Sequence, residues 1–208
     1  MKNLFKAIAV ASLATTGVAQ AMEGSVSVVD NYTFRGGLLA ENASIVSAGT
    51  NVAGLDFGIA LVNGDDDYHE RNLMVGYSVN LAGMDVDLGY TNYSYGDNTA
   101  LSPNEEDEIS VSVALSGVTV TYVDGDASVE GQEDTDFSVL TFGYTVGGMD
   151  FTVGEFDTDG NEYNFYEIST GTEVAGLDAS VTLTNTFSEE NGDQDAIIAV
   201  SLGKSLSL

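Results

Sequence analysis

The sequence predicts an all-β protein: a closed, antiparallel, up-and-down transmembrane β-barrel of twelve strands, preceded by a cleaved signal peptide. Three observations predict this fold. Five short turns of small residues recur along the chain, about thirty residues apart. Each lies between two segments in which apolar and polar residues alternate, and the other connections are longer and strongly acidic. Short turns at one end, long loops at the other and an apolar stripe along every strand are typical of a transmembrane barrel.

The short turns share a pattern, in which a small residue and a glycine are flanked by apolar residues and usually followed by aspartate. They lie at 52–56, 81–85, 115–119, 146–150 and 174–178. Tight turns of this kind join the strands of β-hairpins, so the five turns predict a meander. We expect them to lie on the periplasmic side of an outer membrane, together with both chain termini.

The N-terminus has the pattern of a secretory signal peptide. Lys2 and Lys6 are followed by a short apolar run, and Ala19-Gln20-Ala21 matches the small-x-small pattern of a cleavage site. We therefore divide the chain into a signal peptide, 1–21, and a barrel domain, 22–208. The predicted destination is the cell outer membrane, reached by export through the periplasm.

Period-two alternation predicts the strands themselves. In 109–115, for example, Ile109, Val111 and Val113 alternate with Ser110 and Ser112. The predicted strands are 25–35, 44–52, 55–62, 72–81, 84–95, 108–115, 118–124, 136–146, 149–156, 163–173, 177–187 and 195–206. Their number is even, as it is in single-chain bacterial barrels.

A soluble β-sandwich would also alternate, but with a charged outer face. Here the face opposite the apolar stripe carries mostly Ser, Thr, Gly and Asn, which favours a barrel lumen. Aromatic residues also concentrate near the long-loop ends of the strands, as in an interfacial girdle. The residues assigned to this girdle are Tyr32, Phe34, Tyr93, Tyr95, Tyr122, Phe156, Tyr163, Phe165, Tyr166 and Phe187.

Charge excludes one class of partner. The chain has 33 Asp and Glu against 5 Lys and Arg, a formal net charge of −28. Nucleic acid is excluded because so few cations could not neutralise phosphates. Without cysteine the chain has neither disulfides nor thiolate chemistry. No apolar run reaches about eighteen residues, so a membrane role requires a barrel.

The long connections, predicted at 36–43, 63–71, 96–107, 124–135, 157–162 and 188–194, carry much of the acidity. Asp65, Asp66, Asp67, Glu105, Glu106 and Asp107 are the candidates for an acidic vestibule that concentrates cations at a pore mouth. The alternative is simple solvation and mutual repulsion of the loops. Segment 157–161 has a passing likeness to a calcium loop but lacks its spacing, so no metal site is predicted.

The polar face of the strands provides the candidates for the lumen. Parity places Asp56, Asp85, Asp87, Asp150 and Asp178 there, either as an acidic ring of the pore or as stabilisers of the adjacent turns. Arg35 also falls on this face, where we expect it to pair with a carboxylate. Asp30 shares the parity of Val28 and Tyr32 and would face lipid unless a β-bulge turned it.

Catalysis is not predicted. The one histidine, His69, lies in an acidic loop without a nearby serine partner. The sequence therefore offers no catalytic residues, and no cofactor is expected.

The segment Tyr32-Thr33-Phe34-Arg35-Gly36-Gly37 resembles the Y-x-F-R-G motif that closes the first strand in the TorF-type family of porins, which are Gram-negative outer-membrane barrels. The resemblance is specific over about ten residues. Asp30 and Asn31 stand where that family has serine and aspartate, and the chain ends in Leu208 rather than an aromatic residue. The resemblance implies a porin-like role.

The prediction is thus an outer-membrane channel for passive diffusion of small solutes, with a preference for cations. Its expected partners are the lipid bilayer, the barrel-assembly machinery and the solutes themselves; the oligomeric state is left open. Two alternatives remain: a non-conducting barrel that displays acidic loops, and a secreted soluble β-protein.

Overall fold

The computed structural model describes residues 23–96, 104–129, 133–158, 161–188, 192–193 and 195–207. The predicted signal peptide lies outside the described residues. The described part of the chain contains no helix that is long and apolar enough to cross a membrane. Its strands are β1 (Glu23–Phe34), β2 (Gly37–Val52), β3 (Leu55–Asn63), β4 (His69–Leu81), β5 (Met84–Tyr95), β6 (Glu105–Leu115), β7 (Val118–Ser128), β8 (Thr135–Val146), β9 (Met149–Thr158), β10 (Asn161–Val174), β11 (Leu177–Ser188), β12 (Gly192–Asp193) and β13 (Ile197–Ser207).

Twelve of these strands form a closed barrel wall. Each pairs antiparallel with its sequence neighbour from β1 to β11, β11 pairs with β13, and β13 pairs with β1. The two-residue strand β12 only extends the end of β11. The predicted twelve-stranded, up-and-down antiparallel barrel is therefore confirmed.

The stagger of the wall follows from its register. A path that starts at a residue of β1 and passes from each residue to its register partner returns to β1 after one turn of the barrel. It arrives about sixteen residues from its starting point. For twelve strands, this stagger corresponds to a strand tilt of about 40–45° and a backbone radius of about 12 Å. The barrel is wide enough to enclose a polar interior.

The five predicted short turns adopt one geometry. In the turn between β2 and β3, Ala53 has a φ of 55° and Gly54 a φ of 87°. Two consecutive positive φ values define a type I′ turn, whose twist matches that of the paired strands. The central residues of the other four turns also have positive φ: Ala82 and Gly83, Ser116 and Gly117, Gly147 and Gly148, and Ala175 and Gly176.

The two faces of the wall differ in exposure as well as polarity. On β1, Val26 is 45% and Val28 is 55% exposed, whereas Ser27 between them is 9% exposed. Apolar side chains on the other strands likewise face outward, with Ile109 63% exposed. A barrel that is apolar outside and polar inside has the fold of a transmembrane β-barrel.

The predicted aromatic girdle is wrong for many of its members. Tyr32, Tyr93 and Phe165 are each at most 6% exposed and lie in the lumen. Phe156 and Tyr163 stack there as well, with ring centroids 4.9 Å apart. The reason is that the lumen at this level contains buried carboxylates and aromatic faces, which these side chains contact. The exposed aromatic residues of the outer face include Tyr122 and Phe187, as predicted, and also Tyr77, Tyr90, Phe142 and Tyr144.

Several predicted loops are shorter than expected. The first connection is not 36–43 but a two-residue turn, Arg35–Gly36, because β2 already begins at Gly37. Residues 105–107 and 124–128 belong to β6 and β7, respectively. Polar sequence at these strand ends was interpreted as loop, although both faces of a strand beyond the apolar band can be polar.

Asp30 lies at an irregular position of β1 and is exposed. The ladder between β1 and β13 ends at Val29, and the register with β2 shifts between Tyr32 and Thr33. Asp30 Oδ1 then accepts hydrogen bonds from the backbone N–H of Val200 at 2.6 Å and of Asn31 at 2.7 Å. The carboxylate thus replaces a backbone carbonyl at the end of the ladder.

Candidate functional site

The half of the lumen towards the short turns contains a cavity of about 420 Å³. Strands β4 to β10 provide much of its wall, with hydroxyl groups such as those of Ser110, Thr121 and Thr141. Asp87 and Asp150 line it near the short turns, and Arg35 lines it at the opposite end. The cavity therefore extends from the short-turn rim to the first hairpin.

The tip of the β1–β2 hairpin folds into this lumen. Arg35 and Gly36 form a type I′ turn, with φ of 49° and 82°. The N–H of Gly36 donates a hydrogen bond to Glu167 on β10. A Cβ on Gly36 would lie only 2.7 Å from Phe165 Cβ and 2.6 Å from Thr186 Cγ2, so the tip is packed against β10 and β11 and has room for glycine alone.

The Arg35 side chain crosses the lumen to β6, five strands away in a barrel of twelve. Its Nη1 lies 3.4 Å from Glu106 Oε1, and its Nη2 pairs with Glu108 Oε1. The three side chains are nearly buried, each at most 11% exposed. Three ring faces lie near the guanidinium carbon, at 4.3 Å for Phe34, 5.2 Å for Phe137 and 5.7 Å for Phe156. We call these two glutamates and three rings the Arg35 seat.

Tyrosine hydroxyls complete the hydrogen bonding of the seat. Tyr93 donates to Glu108 at 3.3 Å, and Tyr95 donates to Glu106 at 3.0 Å. Burying a carboxylate is costly unless it is paired and hydrogen-bonded, and both glutamates of the seat have these contacts. The seat is therefore a complete recognition site for one planar cation, and Arg35 fills it.

Glu70 forms a second buried network at the same end of the lumen. It accepts hydrogen bonds from Tyr32 at 3.0 Å, from Asn72 at 2.7 Å and from Tyr68, which lies in the loop before β4. Burial, together with the adjacent Glu70 carboxylate, raises the pKa of the Tyr68 hydroxyl well above its ordinary value. Tyr68 therefore stays protonated and continues to donate to Glu70 at neutral pH.

The five aspartates predicted for the lumen do lie on its wall, and four of them accept a hydrogen bond near a short turn. Asn51 Nδ2 donates to Asp56 at 2.8 Å, and Asn80 Nδ2 donates to Asp85 at 2.7 Å. Asp150 accepts from Thr145 at 2.5 Å, and Asp178 accepts from Ser205 at 3.1 Å. These contacts support the turn-stabilising alternative, while Asp87 and Asp150 also line the cavity.

The predicted vestibule residues do not form one group. Asp65, Asp66 and Asp67 are exposed in the loop between β3 and β4, where Asp65 accepts from Asn42 at 2.7 Å. Glu105 is exposed at the start of β6, and Asp107 accepts from Tyr90 at 2.5 Å. Glu106 was predicted to lie in a loop, and this prediction is wrong. It lies in the lumen, where it is 9% exposed, because β6 begins earlier than the alternation indicated.

Glu108, Glu70 and Glu167 are lumen residues that the sequence analysis did not single out. Glu106 and Glu108 could have been found from the alternation of β6. Extended towards the N-terminus, the face that carries Ser112 and Ser110 continues with Glu108 and Glu106. No local sequence pattern predicts that these two glutamates form ion pairs with Arg35.

Arg35 is the one cation of the lumen within the described ranges. Arg71 shares the outward parity of Leu73, and its Nη2 donates to Ser94 at 2.9 Å. Lys204 lies opposite Val26 on the outer face. The lumen therefore has an excess of carboxylates over cations.

Two further features that the sequence analysis considered are a metal site and the histidine. The described residues contain no group of three His, Asp or Glu side chains arranged to hold a metal ion. His69 Nδ1 lies 2.9 Å from Asn63 Oδ1 in an exposed position. The calcium-like segment at 157–161 lies partly outside the described residues.

Comparison with known proteins places the fold among membrane barrels. One similar solved structure comes from work on the in-meso crystallization of membrane proteins, with a TM-score of 0.57, 9% identity, and coverage of 90% of this chain and 84% of that chain. Another is the KdgM porin, with a TM-score of 0.55, 8% identity, and coverage of 90% and 99%, respectively. No protein-family model matches the chain, and no curated protein matches it.

Proposed function

We propose that the protein is a porin-like channel of the outer membrane that allows passive diffusion of small solutes and prefers cations. The observation that carries this proposal is the composition of the lumen. The wall is lined by hydroxyls and carboxylates, and Arg35 is its one described cation, already paired with Glu106 and Glu108. A water-filled passage lined by fixed negative charge concentrates cations and repels anions.

The outer surface supports a location in a membrane. Every wall strand carries exposed apolar side chains on this surface. In water, so large an exposed apolar area would be unfavourable. The similarity of the fold to the KdgM porin and the Y-x-F-R-G segment shared with TorF-type porins support the outer membrane specifically. Export across the periplasm and insertion by the barrel-assembly machinery are part of this proposal.

Barrel size supports the passage of small solutes only. Eight-stranded barrels have interiors filled by side chains, and porins of sixteen strands leave an aqueous channel. A barrel of twelve strands lies between them, and its cavity of about 420 Å³ can hold a small hydrated ion or a compact polar molecule.

One observation favours a second candidate, a non-conducting barrel that displays its acidic loops. The first hairpin fills part of the lumen and is held there by a buried ion pair. A barrel with this hairpin permanently in place would conduct poorly.

Conductance in planar bilayers distinguishes the two candidates. Purified protein should produce stepwise current in KCl if it is a channel. The variant D87N/D150N removes two carboxylates from the cavity wall and should retain the current but lose part of the preference for K⁺ over Cl⁻. The matched variant D65N/D66N neutralises two exposed loop residues and should change the preference less. Absence of current from folded, inserted wild-type protein would favour the display barrel.

A further inference from the structure

The Arg35 seat has the chemistry of a binding site for a free organic cation. Two carboxylates lie two residues apart on β6 and face the same guanidinium, with three aromatic rings within 4.3–5.7 Å of its central carbon. Paired carboxylates match the fork of a guanidinium, and aromatic faces attract its delocalised charge. The occupant seen in the structure is a side chain of the same protein.

The occupant is held by a tether that shares only Phe34 with the seat. Arg35 lies at the two-residue tip of the β1–β2 hairpin, whereas Glu106 and Glu108 lie on β6. Other contacts of the tip include the hydrogen bond from Gly36 to Glu167 and the packing of Gly36 against Phe165 and Thr186. Phe34 beside the tip contacts Tyr93, with ring centroids 5.8 Å apart. If the tip moved away, both the wall and the two glutamates would stay in place, because their strands are paired on both sides.

Departure of Arg35 would leave a charge that must be balanced. Glu106 and Glu108 are 9% and 6% exposed, so two unpaired carboxylates would be costly at this position. The next available cation is one that enters from the cavity, whose wall includes both Arg35 and Glu108. A solute arriving from the short-turn side therefore reaches the seat directly.

We propose that the Arg35 seat is a cation site of the channel, specific for guanidinium-type organic cations, which Arg35 occupies as a tethered plug when the lumen is closed. A free guanidinium takes the seat when the hairpin tip leaves it. This proposal rests on the proposed function only in calling the barrel a channel, because binding at the seat can be measured without current.

The test uses guanidinium chloride at low millimolar concentration as the probe, with R35A and wild-type protein. In R35A the seat is vacant, so guanidinium should raise the temperature of the heat-modifiable gel shift in detergent and should block the K⁺ current in a saturable manner. Wild-type protein should show both effects only at higher guanidinium concentration, because Arg35 competes for the seat. R35Q, whose uncharged side chain is shorter than that of arginine but longer than that of alanine, replaces R35A if the latter does not fold.

Two further variants locate the effect. R71A removes an arginine from the outer face and should behave as wild type. Adding E108Q to R35A removes one arm of the seat and should weaken guanidinium binding about tenfold, as loss of one charge-assisted hydrogen bond predicts. Tetramethylammonium, which has no N–H donors, should bind less tightly than guanidinium.

The results separate the two proposals. Stabilisation of R35A by guanidinium without current in any variant would retain the seat and overturn the channel. Current that guanidinium affects equally in wild type, R35A and R35A/E108Q would retain the channel and overturn the seat. Absence of both stabilisation and block in R35A and R35Q would also overturn the seat.

Discussion

A pair of adjacent substitutions on β6 tests which face of the barrel contacts lipid. Val111 is 40% exposed on the outer face, where its register partners are Leu88 and Tyr122. Ser112 faces the lumen, accepts a hydrogen bond from Thr121 at 2.9 Å and lines the cavity. We compare V111R with S112R, which introduce the same side chain one residue apart.

The expected magnitudes follow from position. Val111 lies about midway along β6 between the turn at Ser116–Gly117 and the polar Asp107, and therefore near the middle of the apolar band. A lipid-facing arginine at the midplane destabilises a barrel by about 2–4 kcal/mol, or about thirtyfold to a thousandfold in the folding equilibrium. At position 112 the arginine enters the polar cavity beside its register partner Asp87, and we expect a change below about 1 kcal/mol.

The assay is reversible unfolding by urea in phospholipid vesicles, with the folded fraction measured from the heat-modifiable gel shift. V111R should have the lower free energy of unfolding. Destabilisation of S112R by more than V111R would mean that the hydroxyl face is the core of a soluble protein and the valine face is its surface.

Three other positions give quantitative expectations. Gly54 has a φ of 87°, so G54V should lower the free energy of unfolding by about 1–2 kcal/mol, whereas A53G should change it little. Equal effects of the two substitutions would contradict the assignment of a type I′ turn. D30L removes the acceptor of the Val200 N–H and should cost about 1–3 kcal/mol, most of which D30N should recover in the same urea titration. Because burial raises the pKa of Tyr68, its contribution to stability is present below the unfolded value of about 10 and is lost as pH rises above it. Y68F should therefore lose less stability than wild type between about pH 8 and about pH 11, and a loss as large as that of wild type would contradict the burial of the hydroxyl.

The wall of the barrel could be predicted from sequence because its rules are local. A type I′ turn requires small residues with positive φ, and the Ala-Gly, Ser-Gly and Gly-Gly pairs provide them. Alternation then determines which side chains face lipid, as Val26, Ser27 and Val28 show. Strand number and order follow from counting such turns.

The interior of the barrel could not be predicted in the same way. Arg35 was expected to have a carboxylate partner, but Glu106 and Glu108 lie 71 and 73 residues away in sequence. Only the closed barrel brings β1 and β6 to opposite sides of one lumen. The alternation on β1 is also interrupted between Val28, which is exposed, and Tyr32, which is buried, and this is why Tyr32 was assigned to the outer face although it lies inside.

The polarity of the strand ends misled the prediction of loops for a related reason. Alternation is visible only while one face is apolar, and near the long-loop end both faces of β6 carry acidic residues, with Glu106 and Glu108 inside and Glu105 and Asp107 outside. This end of β6 therefore has the composition of a loop, although its backbone is still paired with the neighbouring strands.

The reversal potential of wild-type protein in a planar bilayer measures directly whether the barrel is a channel that prefers cations. Under a roughly tenfold KCl gradient, an acidic lumen whose one described cation is already paired predicts that K⁺ carries most of the current. The zero-current potential should then have the sign set by K⁺ diffusion and should move towards zero in D87N/D150N. A potential with the sign of Cl⁻ diffusion would mean that the barrel prefers anions.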